Sequence, residues 1–292
     1  MKEDMATQVK ALLRQSGLKA KKSLGQHFLI DEDILECIVS TAELSHSDVV
    51  VEVGPGLGIL TRRLAEVANE VIALEIDGRL VNILRRKLAY LGNVKVIHAD
   101  ILKVTPRQIL GNYLATPELA RNYKVVANLP YYITSPVVRH FLEASQKSSL
   151  MVVMVQKEVG EAIAATSGKM SLLSVNSQFY SKPTVIKYVS ANSFYPPPKV
   201  DSVILRLDVY PKPPIEVSNI EGFFDIVNCG FSAPRKQLRN ALAKAVGLSG
   251  SQTVSLLEEA GIEAKRRAET LTLEEWKRLW EVFAPYREKS SC

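Results

Sequence analysis

The stretch Val49-Val50-Val51-Glu52-Val53-Gly54-Pro55-Gly56-Leu57-Gly58 decides the fold class of this chain. A short run of β-branched residues ends at a cluster of three glycines, and a segment with helical apolar spacing follows from Ile59. Glycine lets the backbone turn sharply at this point and come close to a ligand. A strand, a glycine turn and a helix in this order are typical of an open α/β sheet that binds ligands at the carboxyl ends of its strands.

Four further runs of the same type follow along the chain, and segments with helical spacing lie between them. Buried strands that alternate with helices predict a parallel, doubly wound sheet that is covered on both faces. The predicted strands are 49–53, 71–75, 94–97, 124–127 and 150–155, and the predicted helices include 59–68, 79–91 and 136–144.

The pattern changes after residue 155. Helical stretches at 157–166 and 170–179 lead to two strand-like runs, 185–189 and 202–209, with only a turn-rich segment between them. Because no crossover helix separates these two runs, we expect an antiparallel pair that closes one edge of the sheet. Before the first strand, residues 5–20 have helical spacing and residues 21–29 read as a loop.

A domain boundary is predicted at Tyr210-Pro211-Lys212-Pro213-Pro214, because prolines at three of four positions cannot continue a helix or a central strand. We therefore assign residues 1–210 to an α/β domain with a basic N-terminal extension, and residues 215–292 to a small all-α domain. The helices predicted there are 220–231, 236–246, 253–260 and 273–283.

Composition excludes several classes of protein for this chain of 292 residues. The longest aliphatic run, 150–155, has six residues, whereas a membrane-spanning helix needs about 18. The amino terminus lacks the apolar segment of a secretion signal, so we expect a cytoplasmic protein without a membrane partner. The three cysteines are widely spaced, without a Cys-x-x-Cys motif or a nearby histidine cluster, and predict no metal site.

The net charge of +6 is clustered. Residues 1–25 hold six cations against two acids, and residues 232–246 hold four cations and no acid. Such clusters are typical either of a solvated face or of a surface that binds a polyanion, and their position on both sides of an enzyme-like middle favours nucleic acid. The candidate RNA contacts are Lys21, Lys22, Arg235, Lys236 and Arg239.

The spacing of the glycines separates two classes of cofactor. The dinucleotide fingerprint Gly-x-Gly-x-x-Gly requires glycine at position 59, where this chain has Ile59. The spacing here is Gly-x-Gly-x-Gly, with Glu52 two residues before the first glycine. This form resembles motif I of the S-adenosylmethionine-dependent methyltransferases and makes Gly54 and Gly56 candidate cofactor contacts.

Acidic residues follow the next two predicted strands. Glu75 lies 21 residues after Gly54, where a carboxylate can accept hydrogen bonds from both hydroxyls of a ribose; the alternative is an ordinary exposed acid at a strand end. Asp100 can accept from an adenine amino group or simply cap the next turn. Ligand-type features at the ends of three successive strands together predict a nucleoside-containing cofactor.

The tetrapeptide Asn128-Leu129-Pro130-Tyr131 after the fourth strand indicates the reaction. An exocyclic adenine nitrogen is a poor nucleophile because its lone pair is delocalised into the ring, so two acceptors aimed at its hydrogens would favour the reactive sp³ form. The Asn128 side chain and the Leu129 carbonyl can supply these acceptors. Pro130 fixes the turn and Tyr131 can stack on the base. A structural turn at the end of a strand is the alternative.

A second aromatic residue, Phe194, precedes the segment Tyr195-Pro196-Pro197-Pro198-Lys199-Val200. Phe194 could cover the other face of a flipped base, opposite Tyr131; the alternative is packing in the core. None of the histidines lies beside a serine or cysteine in a triad-like context, so the sequence shows no machinery for hydrolysis.

The order of these motifs resembles that of the ribosomal RNA adenine dimethyltransferases, over about residues 20–245. The motifs that carry the resemblance are Gln26-His27-Phe28-Leu29, Val51 to Gly58, Glu75, Asp100, Asn128 to Tyr131 and Phe194 to Val200.

A further segment, Phe231-Ser232-Ala233-Pro234-Arg235-Lys236-Gln237-Leu238-Arg239-Asn240, resembles the helical-domain signature of the small-subunit (16S) enzymes, the RsmA or KsgA family. The macrolide-resistance enzymes of the large subunit are less similar at this segment. Pro234 departs from the pattern, since the family usually has the first of two arginines there, and this removes one cation from the expected RNA contact.

This resemblance implies a seven-stranded, Rossmann-like methyltransferase sheet with a small C-terminal all-α domain. It implies methyl transfer from S-adenosylmethionine to N6 of two adjacent adenosines near the 3′ end of 16S ribosomal RNA, in the assembling 30S subunit. We expect the enzyme to act as a monomer. The cofactor contacts of the family correspond here to His27, Leu29, Gly54, Glu75, Asp100 and Asn128.

Other functions share part of this pattern. A 23S ribosomal RNA methyltransferase that confers antibiotic resistance would have the same catalytic motifs and differ mainly in the helical domain. A ribosome-assembly factor could bind RNA without turnover, although the intact Asn128–Tyr131 tetrapeptide argues against that as its sole function. An NAD-dependent dehydrogenase is disfavoured by Ile59 and by the lack of a proton-relay pair.

Overall fold

The apolar runs of the sequence form strands, as predicted. The structure is a computed structural model that describes residues 5–15, 17, 25–114 and 122–287. Its strands are β1 Phe28–Leu29, β2 Val49–Val53, β3 Glu70–Glu75, β4 Val94–His98, β5 Tyr123–Asn128, β6 Leu150–Gln156, β7 Ser181–Val189, β8 Phe194–Tyr195 and β9 Ser202–Val209.

Amphipathic segments between the strands form helices, several of which begin at a side-chain cap. Asp31, Asp77 and Thr105 each accept a hydrogen bond from a backbone N–H in the first turn of a helix. Within the residues that the structure describes, no helix has both the length and the apolarity needed to cross a membrane. The helices are α1 Met5–Gln15, α2 Glu32–Thr41, α3 Ile59–Ala65, α4 Gly78–Lys87, α5 Pro106–Tyr113, α6 Thr134–Leu142, α7 Lys157–Ile163, α8 Leu172–Tyr180, α9 Ile220–Phe231, α10 Leu238–Val246, α11 Gly250–Glu259 and α12 Leu273–Arg287.

Seven of the strands form one sheet in the order β4-β3-β2-β5-β6-β9-β7. The strands from β4 to β6 are parallel, and β9 runs antiparallel to β6. β2 lies between β3 and β5, so the strand order reverses there, and an open sheet binds its ligand at the carboxyl ends of the strands at such a switch point. The predicted seven-stranded α/β fold is therefore confirmed, with β9 and β7 at the predicted edge.

The chain divides into two compact units, and the limits of both depart from the predicted domain limits. The first unit comprises Met1–Gly160 and Lys182–Pro211, and the second comprises Glu161–Ser181 and Lys212–Cys292. The predicted boundary at the prolines places 161–181 in the α/β domain instead. This segment contains α8, whose Phe179 ring stacks on Phe223 of α9 at a centroid distance of 5.2 Å, so burial of that aromatic face joins it to the helical unit.

The predicted loop at 21–29 also needs a correction where the structure describes it. Phe28 and Leu29 form β1, which pairs antiparallel with β8 in a separate two-stranded sheet. Both side chains are buried in the core of the α/β unit, beside α1 and α2. Burial of these apolar side chains is favourable because it removes them from water, and the pairing of β1 with β8 holds them in the core.

Candidate active site

The turn after β2 has a backbone that requires glycine. Gly54 has φ +69°, and a Cβ there would lie 3.3 Å from Cδ of Pro130. Gly58 has φ +78°, and a Cβ there would come within 2.7 Å of Leu84 Cδ2. Positive φ is costly for other residues, and a side chain at either position would require the neighbouring Pro130 or Leu84 to shift. The glycines therefore set both the course of the turn and its tight packing against the tetrapeptide and α4.

Glu75, the last residue of β3, holds this turn in place. Its Oε1 accepts a hydrogen bond from the Asp77 amide at 2.9 Å, and its Oε2 accepts one from the Gly56 amide at 3.3 Å. The side chain is buried, so it is not the ordinary exposed acid considered as an alternative. Burial raises the pKa of Glu75, while the backbone hydrogen bonds oppose the shift.

Asp100 follows β4 and caps the short 3₁₀ helix Ile101–Lys103. Its Oδ1 accepts a hydrogen bond from the Leu102 amide at 3.1 Å. The residue also lines the cavity described below. The two roles considered for Asp100 are thus compatible, because a carboxylate can accept several hydrogen bonds at once.

Glu52 is a candidate site residue that the sequence marks only as part of the glycine motif. The side chain is 1% exposed, and its Oε2 makes no hydrogen bond with any described residue. Burial raises the pKa of Glu52 to about 8; the Thr61 hydroxyl opposes this shift and the nearby Glu75 carboxylate adds to it. The signal in the sequence was an acid within the otherwise apolar run 49–53, since a glutamate is almost never fully buried unless it has a partner.

One cavity of about 320 Å³ joins these groups at the carboxyl ends of the parallel strands. It has apolar walls and a few polar groups, as small-molecule sites usually do. Glu52 lines it, and so do ten of the residues singled out from the sequence. These are His27, Leu29, Gly54, Gly56, Glu75, Asp100, Asn128, Leu129, Pro130 and Tyr131.

The tetrapeptide begins at the carboxyl end of β5. The amide of Leu129 donates to the carbonyl of Met154 at 3.1 Å, which fixes the turn to β6. The side chain of Asn128 is half-buried and makes no hydrogen bond to any residue in the described ranges. An amide at the wall of a cavity with unused hydrogen-bonding capacity is suited to a ligand.

The ring of Tyr131 is held from two sides. Its hydroxyl lies 2.6 Å from Oγ of Ser202, the first residue of β9. The His27 ring stacks on it at a centroid distance of 5.8 Å and an interplanar angle of 24°, and His27 Nδ1 lies 2.7 Å from the Pro196 carbonyl. Neither Ser202 nor the His27–Pro196 contact was predicted, because both join segments far apart in the sequence.

Phe194 does not lie at the position that the sequence predicts for it. The prediction puts it opposite Tyr131, on the other face of a flipped base. In the structure Phe194 is 2% exposed and belongs to the apolar core, and it does not line the cavity. The reason is the pairing of β8 with β1, which sets Phe194 opposite Leu29 and directs it into the core.

The structure describes three of the five residues that the sequence predicts to contact RNA. Lys21 and Lys22 lie outside the described residues. Arg235 and Lys236 lie in the turn before α10 and Arg239 lies within its first turn, and all three are exposed. None of these three forms an ion pair with an acid of the described chain. Their charge is therefore available to an anionic partner.

Comparisons with known proteins decide the family. A profile of the ribosomal RNA adenine dimethylase family matches residues 17–284. The chain belongs to this family. Ribosomal RNA small subunit methyltransferase A of Dehalococcoides mccartyi is 46% identical over 279 residues, which are 96% of this chain and 94% of that protein. The protein of the same name from Moorella thermoacetica is 42% identical over 269 residues, which are 91% and 93% of the two chains.

Solved structures agree with this membership. A dimethyladenosine transferase from Plasmodium falciparum has a TM-score of 0.73 at 25% identity and covers 89% of this chain and 98% of its own. The 23S rRNA methyltransferase ErmE has a TM-score of 0.69 at 30% identity and covers 88% and 99% of the two chains. The predictions of a Rossmann-like methyltransferase fold and of a ribosomal RNA adenine dimethyltransferase are thus confirmed for this member of the family.

Proposed function

We propose that this chain transfers methyl groups from S-adenosylmethionine to N6 of two adjacent adenosines near the 3′ end of 16S ribosomal RNA, in the assembling 30S subunit. The observation that carries the proposal is the cavity that brings the glycine turn, Glu75 and Asp100 together with the Asn128–Tyr131 tetrapeptide. The names of the curated relatives support the small subunit as the target.

The residues around the cavity fit S-adenosylmethionine. The glycine turn exposes backbone without side chains, and Glu75 retains acceptor capacity for ribose hydroxyls beyond its two backbone hydrogen bonds. The unpartnered Oε2 of buried Glu52 suits a cationic group, and this ligand carries an ammonium and a sulfonium. When bound, S-adenosylmethionine supplies an electrophilic methyl carbon. Asp100 is proposed to accept from the adenine amino group, and His27 and Leu29 to close the wall of the site.

Asn128 and Leu129 are proposed to make the adenine nitrogen reactive. In the first transfer, the Asn128 side-chain oxygen and the Leu129 carbonyl each accept a hydrogen bond from one N–H of the amino group and thereby favour its sp³ form. The lone pair freed from the ring would attack the methyl carbon. The new nitrogen–carbon bond would form as the carbon–sulfur bond breaks, and the sulfur would leave as the neutral thioether of S-adenosylhomocysteine. No strong general base is needed because the nitrogen becomes a good acid once it carries the methyl group, and its proton passes to water.

Tyr131 is proposed to hold the target base by stacking. Its ring is fixed through Ser202 and His27 before substrate arrives, so little freedom remains to be lost on binding. Pro130 limits the backbone of the turn that aims Asn128. The core position of Phe194 gives it no contact with the cavity in this structure, so its role as a second stacking ring remains a prediction.

The helical unit is proposed to bind the RNA. The exposed, unpaired Arg235, Lys236 and Arg239 support this role, and Lys21 and Lys22 are proposed to extend the contact. We further propose that the protein works in the cytoplasm as a monomer.

The experiment uses small and large ribosomal subunits from a strain that lacks this gene. The purified protein and S-adenosylmethionine with a labelled methyl group are added to each, and mass spectrometry locates the label. We expect two adjacent adenosines of 16S ribosomal RNA to gain two methyl groups each. Label in 23S ribosomal RNA alone would assign the chain to the resistance enzymes, and tight binding without label would indicate an assembly factor.

A further inference from the structure

The edge strand β7 leaves an apolar and aromatic face in solvent. Tyr188 is 55% exposed and Ile186 is 39% exposed, and both lie on the same face because side chains two residues apart share a face of a strand. Lys182 belongs to this face as well and is exposed. Large apolar side chains that stay exposed together on an edge strand mark a surface that a partner can use.

The segment that contains this strand is basic. Residues 181–199 include Lys182, Lys187 and Lys199 and no acidic residue. All three lysines are exposed. A fourth cation, Lys157, lies at the carboxyl end of β6 with its Nζ 5.5 Å from the centroid of the Tyr188 ring. The face thus combines an aromatic ring with positive charge.

A continuous set of contacts connects this face to the active site. The amide of Lys157 donates to the carbonyl of Asp201 at 3.0 Å. The next residue, Ser202, pairs with Gln156 and lies 2.6 Å from the Tyr131 hydroxyl. Neighbouring strands are about 4.8 Å apart, so β7 lies about 10 Å from β6 across β9. An RNA segment of a few nucleotides can therefore extend from Tyr131 to Tyr188.

We propose that the β7 face binds the single-stranded RNA that flanks the target adenosines, with Tyr188 stacking on one base and Lys157 and Lys182 contacting phosphates. This inference rests on the proposed function. Stacking on an exposed aromatic side chain beside cations is the usual mode of single-strand binding. A protein partner is disfavoured because protein interfaces are depleted of lysine.

The test measures methylation kinetics and RNA binding with the full chain. The substrates are small subunits from a strain that lacks this gene and a naked RNA fragment that spans the methylated adenosines. The variants are Tyr188→Ala, Tyr188→Phe and the double change Lys157→Gln with Lys182→Gln. Tyr90→Ala is the matched control, because Tyr90 is 70% exposed and lies between α4 and β4, at the opposite edge of the sheet.

We expect Tyr188→Ala to raise the KM and the Kd for both RNA substrates about tenfold, and Tyr188→Phe to leave them unchanged because it keeps the ring. The double lysine variant should flatten the salt dependence of binding, by about 0.7 in slope for each phosphate that a lysine no longer neutralises. The kcat at saturating RNA and the affinity for S-adenosylmethionine should remain those of the wild type.

Two results would overturn the inference. One is a Tyr188→Ala variant with the same RNA affinity as wild type and Tyr90→Ala. The other is weaker binding to intact subunits with unchanged binding to naked RNA, which would assign the face to a protein partner. Failure of the proposed function is a separate result, because the wild-type protein would then methylate neither substrate.

Discussion

The hydroxyl of Tyr131 lies 2.6 Å from Oγ of Ser202, and Ser202 is fully buried. The ring proposed to hold the target base is thereby tied to the first residue of β9. A hydrogen bond of this length between two hydroxyls restrains the side-chain torsions of Tyr131. Because the ring is already restrained, it loses little conformational freedom when the base binds. Ser202 is thus a positioning residue that acts through Tyr131.

Ser202→Ala should slow methyl transfer because the Tyr131 hydroxyl then lacks its partner. We expect a loss of about tenfold in the single-turnover rate, which corresponds to about 1.4 kcal/mol. Tyr131→Phe removes the same bond and should cost a similar amount, and the double variant should be no slower than either single one. Additive losses would show that the two residues act independently.

Glu75→Gln should weaken binding of S-adenosylmethionine by about 1.5 to 3 kcal/mol, the range of charge-assisted hydrogen bonds. Because Glu75 also accepts from the Gly56 and Asp77 amides, we expect a lower Tm as well. Calorimetry and thermal unfolding measure the two effects. Glu66→Gln, at an exposed position of the neighbouring α3 end, serves as the control and should change neither.

Glu52 should make stability depend on pH. Its pKa is raised from 4.5 to about 8 by burial, so between these values the folded state holds a proton that the unfolded state has released. Stability therefore falls as the pH rises through this interval. Glu52→Gln cannot titrate, so its free energy of unfolding relative to wild type should increase from about pH 5 to about pH 8, by up to ~1.4 kcal/mol per pH unit. A difference that stays constant over this range would contradict the assignment.

The exposed arginines of the helical unit should control RNA affinity. Replacing Arg235 and Arg239 by glutamine should weaken binding to small subunits and reduce the salt slope by about one unit for each phosphate that an arginine no longer neutralises. The affinity for S-adenosylmethionine should not change. Arg62 and Arg107 are exposed cations of the α/β unit, and the same replacement there is the control. Equal losses of RNA affinity from both pairs of replacements would mean that the net charge of the protein, and not the position of these arginines, determines binding.

Local sequence patterns predicted much of the fold and many of the residues that line the candidate site. The glycine turn, Glu75 and Asn128 lie at strand ends that hydrophobic periodicity locates, and parallel strands bring such ends to one edge. What the pattern could not predict depends on contacts between distant segments. The His27–Pro196 contact joins residues 169 positions apart, and the pairing of β1 with β8 turns Phe194 into the core.

The helical unit shows the same limit. The apolar spacing of 170–179 predicted a helix, which is observed at Leu172–Tyr180. Spacing alone does not state which unit covers its apolar face. The ring of Phe179 stacks on Phe223, and this packing assigns the segment to the C-terminal helices.

Asn128 is proposed to act on the amino group of the target adenosine during the reaction. Such an interaction stabilises the transition state more than the bound ground state. Loss of one preorganised polar group of this kind costs about 10² to 10³ in rate. Tyr131→Ala, in contrast, should weaken RNA binding by about 1 to 3 kcal/mol through loss of stacking.

The most direct measurement is the single-turnover rate of methyl transfer by Asn128→Ala, with S-adenosylmethionine and small subunits both saturating. Saturation is needed because Asn128 also lines the cavity that we propose for S-adenosylmethionine. We expect a rate reduced about 10² to 10³ fold with RNA affinity close to that of wild type. A near-native rate of dimethylation would contradict this role of Asn128 and would make the tetrapeptide a structural turn.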